Sequence, residues 1–73
     1  MSERGELVRD FRVRHGLTGK QLAEQMGVSP RTVRGWEGGG TRVPEVAVKL
    51  LETLDRIDAA LKLIEQMVKE EQD

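Results

Sequence analysis

The sequence predicts an all-α fold, either five helices or four with a long C-terminal helix. Three observations carry this. Apolar residues recur at three- and four-residue spacing, Leu7-Val8-Phe11 and Leu22-Ala23-Met26 among them. Helix-start residues (Thr18, Ser29) and stop residues (Gly16, Gly27) fall just outside those runs. From Val43 onward, Ala47, Leu50, Leu54, Ile57, Leu61, Ile64 and Val68 continue in alternating steps of four and three, with no Gly or Pro in residues 45–73.

Each element has its own local cause. The first helix is expected over Glu3 to His15, capped by Ser2, with Leu7, Val8 and Phe11 inward; Gly16 ends it and Leu17 packs under the turn. The second is capped by Thr18, with Gln21 three residues on as a capping box requires, and runs to Met26. Gly27 is the residue for a left-handed helix end, and Val28 plugs the gap between helices. Ser29 caps the third helix, about Pro30 to Glu37, with Pro30 at its first position. Val33 and Trp36 point it into the core and leave Arg31, Thr32, Arg34 and Gly35 outside. Gly38-Gly39-Gly40 reads as a flexible connection, and Pro44 as the first position of the fourth helix.

Two short helices with arginines on the outward side of the second make the layout of a helix-turn-helix that reads DNA. Leu17-Thr18, Leu22-Ala23, Gly27-Val28-Ser29, Thr32-Val33, Trp36-Glu37 and Pro44 stand at matching spacing. On these residues the chain resembles the Xre family, the phage Cro/cI-repressor type of helix-turn-helix, over roughly residues 5–54. The resemblance implies a λ-repressor-like domain and a prokaryotic or phage source. It also implies a structural ion pair between Arg12 and Glu37, and it places the outward sites of the recognition helix at Pro30, Arg31, Arg34 and Gly35.

Arg31 and Arg34 are the base-reading candidates, because a guanidinium pairs bidentately with guanine O6 and N7 in the major groove. Pro30 has no side-chain donor, and Gly35 costs helix stability by about 1 kcal/mol relative to Ala. Close approach to DNA or crowding between helices would each justify that glycine. Thr18, Gly19 and Lys20 open the second helix, where a helix N-terminus suits a phosphate. With Ser29 and Thr32, and with Thr41 and Arg42 in the loop after the third helix, where the resemblance implies further contacts, they are the candidate DNA-backbone contacts. Trp36 reads as core, with an indole N–H that would reach a phosphate only at the rim. His15 is the lone histidine and reads as a last-turn cation or a solvated side chain.

Composition bounds the rest. Seventy-three residues support one modest core, and such small chains often oligomerise. There is no Cys, so disulfides and thiolate metal sites are excluded. No apolar run approaches membrane-spanning length, and no signal-peptide pattern opens the chain, so a soluble, cytoplasmic protein is expected. No nucleophile–base pair or metal set is present; neither an enzyme nor a cofactor nor a small-molecule ligand is expected. Net charge is −1 but unevenly placed. Residues 1–44 carry eight basic against five acidic residues, and residues 45–73 carry four against eight. A basic half suits phosphates.

The organisation expected is a DNA-binding domain over residues 1–54 and a C-terminal amphipathic helix over residues 55–73 that is continuous with the domain. Ile57, Leu61, Ile64 and Val68 in that segment have no evident partner within the chain and read as a homodimer seam, because a large apolar patch usually marks an interface. A fold-back after a break near Asp55–Asp58, closing a five-helix monomer, is the alternative. The function expected is a homodimeric repressor that binds an inverted repeat in double-stranded DNA. The other reading is an antitoxin-like module that binds a toxin-like protein through the C-terminal helix and regulates its own operon.

Overall fold

The computed structural model describes residues 3–71. They form four helices: α1 (Glu3–Arg14), α2 (Gly19–Met26), α3 (Pro30–Gly38) and α4 (Glu45–Glu71). The first three wrap a small core, and α4 covers it before running on past it. Val8, Phe11, Leu22, Ala23, Val33, Trp36, Val43, Ala47 and Leu51 are its buried members. Leu7, Leu17, Met26, Val28, Val48 and Leu54 pack around them, half-buried. Trp36 is therefore a core residue, 4% exposed. No helix among the described residues is long and apolar enough to cross a membrane.

The helix ends follow from backbone hydrogen bonding. α1 stops at Arg14, one residue before the expected end, because Gly16 takes φ 65°. The chain then turns back, and the N–H groups of Gly16 and Leu17 donate to the carbonyls of Val13 and Arg12. α2 ends in the same way. Gly27 takes φ 72°, its N–H donates to Glu24, and the Val28 N–H donates to Ala23. This double bond pattern with a left-handed glycine satisfies carbonyls that a helix end leaves free. It also turns Val28 onto the core. The Ser2 cap expected for α1 lies outside the described residues.

Two connections differ from the expectation. Gly38 is the last residue of α3, and Gly39 is its left-handed cap, with φ 79°. The glycine run is thus a hydrogen-bonded helix stop, and the Thr41 N–H closes it on the Gly35 carbonyl at 3.1 Å. Pro44 precedes α4 and is not its first residue. Its carbonyl accepts from Ala47 and Val48 at 3.0 and 3.3 Å, the role of the residue that caps a helix.

α4 is one rod of 27 residues, roughly 40 Å long at about 1.5 Å per residue. The fold-back into a fifth helix does not occur among the described residues. The acidic residues that suggested a break are engaged where they stand: Asp55 holds α1, and Asp58 pairs with Lys62 at 3.1 Å. The proposed division after residue 54 falls inside this helix. The seam is also not a single face. Val43 and Ala47 are buried, but Leu50 is 39% exposed, and Leu51 takes the inward position at 0%. Val46 and Leu50 lie on the outward side of this first part of α4. Beyond it the rod runs past the other helices, so Ile57, Leu61, Ile64 and Val68 stand in solvent and every residue from Ala59 to Glu71 is exposed.

Two polar ties set the helices against each other. Arg12 lies between α1 and α3. Its Nε and Nη2 donate to the Glu37 carboxylate at 2.9–3.2 Å, and its Nη1 donates to the Leu17 carbonyl at 3.2 Å. The second tie joins the end of α1 to α4. Arg14 donates to both carboxylate oxygens of Asp55, and His15 Nε2 lies 2.9 Å from Asp55 Oδ1. His15 also stacks on Phe11, with ring centroids 4.1 Å apart. It is neither a solvated side chain nor a free last-turn cation. The hydrogen bond with His15, and then that with Arg14, holds the Asp55 carboxyl below its ordinary value of 3.8.

Two outcomes follow for stability. Arg12→Ala leaves the half-buried Glu37 carboxylate without its counter-charge, and thermal or urea unfolding is expected to show a loss of about 1–3 kcal/mol. Asp55 is bound as the anion, so its contribution is full above pH 3.8, declines as the pH falls below that value and vanishes below its folded pKa. Unfolding curves of wild type and Asp55→Asn should therefore differ at neutral pH and converge on strong acidification. A gap that stays constant with pH would refute this account of Asp55.

Candidate nucleic-acid interface

The site is built from the start of α2, the turn after it and the outward side of α3. The Thr18 capping box is complete. Its Oγ1 accepts from the Gln21 N–H at 3.1 Å, and its own N–H donates to Gln21 Oε1 at 2.9 Å. Both groups of the box are thus engaged, and the Thr18 hydroxyl keeps its hydrogen to give. The next amides, those of Gly19 and Lys20, sit in the first turn, where a helix has no internal acceptor for them. A Cβ on Gly19 would meet nothing within 4 Å, so this end of α2 is open to close approach.

The Ser29 cap is built likewise. Its Oγ accepts from the Thr32 N–H at 3.2 Å and lies 3.0 Å from Thr32 Oγ1. One of the two hydroxyls donates to the other, which leaves one hydrogen between them. Thr32 is half-buried and Ser29 exposed. Their first role is to start α3.

Burial of Val33 and Trp36 fixes the rotation of α3. Pro30, Arg31 and Arg34 are exposed on its other side. Arg34 and Pro30 turn toward α2 and, with Gly19, Lys20, Arg12 and Glu37, line an open groove of about 510 Å³. Within this groove Arg12 and Glu37 neutralise one another, so Lys20 and Arg34 set its charge. Among the described residues, Lys20, Arg31, Arg34 and Arg42 have no carboxylate partner. Arg12, Arg14, Lys49 and Lys62 each have one. Arg4 and Arg9 on α1 and Arg56 and Lys69 on α4 likewise have none, so what distinguishes Lys20, Arg31, Arg34 and Arg42 is that they lie on α2, on α3 and in the loop after it.

Gly35 has a different surrounding from the one expected. It is half-buried, and a Cβ there would stand 2.6 Å from Thr41 Oγ1 and 3.2 Å from Thr41 Cβ. The crowding comes from the loop after α3, because that loop returns over the helix to place the Thr41 N–H on the Gly35 carbonyl. Gly35 is therefore a seat for Thr41 and is not open to a base edge. The Thr41 amide is used in that bond and is not available to a phosphate. Arg42, next in the chain, is exposed.

Sequence reasoning did not find Asp55, Arg14 or Arg4. Asp55 lies about 40 residues from its partners, and the Arg4 guanidinium reaches the Val43 carbonyl at 3.0 Å. No local spacing signals such contacts.

Comparison with known families agrees with this geometry. A family model described as a helix-turn-helix domain matches residues 3–65, which takes in α1 to α3 and most of α4. No curated protein and no solved structure matches the chain. With its capped α2, glycine turn and outward-facing α3 inside the matched span, the chain belongs to the helix-turn-helix domain family.

Proposed function

We propose that this chain is a sequence-specific regulator of transcription that binds double-stranded DNA, with α3 in the major groove. The observation that carries the reading is the grouping of four exposed cations without carboxylate partners, Lys20, Arg31, Arg34 and Arg42, around a helix held rigidly by its buried side. Arg31 and Arg34 lie three residues apart on α3 and suit guanine edges at neighbouring base pairs. Gly19 and Lys20 suit a phosphate at the start of α2. The spare hydroxyl hydrogens of Thr18 and of the Ser29–Thr32 pair would serve the same strand. Arg42 suits the backbone beyond the other end of α3.

The second part of the proposal is that the protein works as a homodimer through α4. Ile57, Leu61, Ile64, Met67 and Val68 are all about half or more exposed, and no residue among those described covers them. Apolar side chains in such a row weaken solubility unless another surface buries them. A second copy supplies a matching row. A C2 pair would carry two recognition helices to half-sites about 34 Å apart on an inverted repeat. Repression would follow from occlusion of a promoter.

Three measurements test this. Selection from a randomised duplex pool, followed by sequencing, should enrich an inverted repeat. On that duplex, Arg31→Ala or Arg34→Ala is expected to cost about 1–3 kcal/mol and to relax preference at one base pair each; wild-type binding by both variants would refute base reading by these arginines. Sedimentation equilibrium should give a dimer for the wild-type chain and a folded monomer for Ile64→Asp. A wild-type chain that stays monomeric at tens of micromolar would remove the homodimer and favour a different protein on the α4 row, as in the antitoxin-like reading.

A further inference from the structure

The loop between α3 and α4 holds its one exposed arginine between two fixed neighbours. On one side, the Thr41 N–H is bonded to the Gly35 carbonyl, and the Thr41 side chain fills the space that any side chain at position 35 would need. On the other side, Val43 is buried in the core, and its carbonyl accepts from Arg4 Nη1 at 3.0 Å. Arg42 itself is exposed and makes no ion pair among the described residues. Its Cα is thus anchored one residue away in each direction, while its guanidinium is left to meet something outside the chain.

This arrangement departs from the ends of α1 and α2. There, the residue directly after the left-handed glycine, Leu17 or Val28, bonds back to the carbonyl five before it. After α3 the corresponding bond skips Gly40 and is made by Thr41 to Gly35. The shift inserts one residue into the stop and draws the chain across the outward part of α3. It works only if position 35 has no side chain, since a Cβ there would lie 2.6 Å from Thr41 Oγ1. The cost of a glycine inside a helix is about 1 kcal/mol relative to alanine, and here it has this identifiable use.

We propose that Thr41, seated on Gly35, is a positioning residue that preorganises Arg42 for one phosphate of the duplex lying along α3. This rests on the DNA-binding reading above and adds to it how the loop contact is made. A long side chain on a free loop loses both backbone and side-chain freedom when it binds. Fixing the backbone beforehand removes the first part of that loss, and the gain appears as affinity without any new contact. Because a phosphate is present in every sequence, the gain is the same for all duplexes and carries no base preference.

The test compares the full-length wild type with Arg42→Ala, Thr41→Gly, Gly35→Ala and the doubles of the last two with Arg42→Ala. Binding is measured on the selected duplex and on an unrelated duplex of equal length across a range of salt concentrations. Thermal unfolding is recorded for each protein. Arg42→Ala is expected to flatten the plot of log K against log salt by about 0.9, the value for one phosphate. Thr41→Gly, a change at an exposed residue, and Gly35→Ala, which displaces Thr41 from its seat, are each expected to weaken both duplexes by the same factor. That factor is about five- to thirtyfold, the order set by fixing the backbone of one residue. In the Arg42→Ala background both substitutions should have no further effect on binding, whatever they do to the unfolding temperature. A purely structural role would move the unfolding temperature and add its full effect to that of Arg42→Ala. If Arg42→Ala flattens the salt plot but Thr41→Gly leaves binding unchanged, or acts additively, the positioning role is wrong and the DNA reading stands. If the wild type prefers no duplex and Arg42→Ala leaves the salt plot as it was, both fall together.

Discussion

The orientation of α3 depends on one guanidinium. Arg12 reaches from α1 to the Glu37 carboxylate near the end of α3, and with its remaining nitrogen it holds the Leu17 carbonyl in the turn before α2. A single planar group therefore fixes three pieces of backbone relative to each other. A fork of parallel N–H groups does this better than a point charge, because direction as well as distance is constrained. The burial of Val33 and Trp36 fixes the rotation of α3, and the ion pair adds a directed tie at the surface, beside the groove where Lys20 and Arg34 stand. The hydrogen bonds to Glu37 hold the Arg12 guanidinium above its usual value.

Much of the fold was legible in the sequence because its signals are local. A cap residue, its partner three positions on and a glycine at the end each act within one helical turn, and they placed α2 and α3 to within a residue. The inward residues Val33 and Trp36 then determined which side of α3 faces out, and so identified Arg31 and Arg34 before any coordinates. The misreadings have equally physical causes. Gly38 is indistinguishable from a loop glycine until its hydrogen bonds are known. Gly35 was open to two explanations, DNA or helix crowding, and the crowding group proved to be Thr41, whose approach depends on a bond across six residues. His15 reads as a last-turn cation or a solvated side chain because its partner, Asp55, lies 40 residues away in sequence.

The C-terminal helix was the harder case. Its stepping pattern is regular along its whole length, but only its early part has other helices to pack against, so Val43 and Ala47 join the core and the rod carries the later members past it. Leu51, outside the pattern, fills the inward place that Leu50 leaves. The clamp of Arg14 and His15 on Asp55 marks where intramolecular packing stops, and every residue from Ala59 to Glu71 is exposed. Charge divides along a similar line, basic around α3 and acidic along α4, which keeps the rod itself from competing for phosphate.

The extension of α4 past the core has a consequence for how such a chain can change. Ala47 and Leu51 answer to the folding of the domain, whereas Ile64 and Val68 answer only to whatever lies against them. Ile57 and Leu61 still border Phe11 and Leu54, but Ile64 and Val68 lie well beyond the core, and effects at separated sites without common partners add independently. Mutation can therefore rewrite the second set while the first keeps the domain folded. A lineage built on this framework is free to exchange its partner without ever passing through an unfolded ancestor.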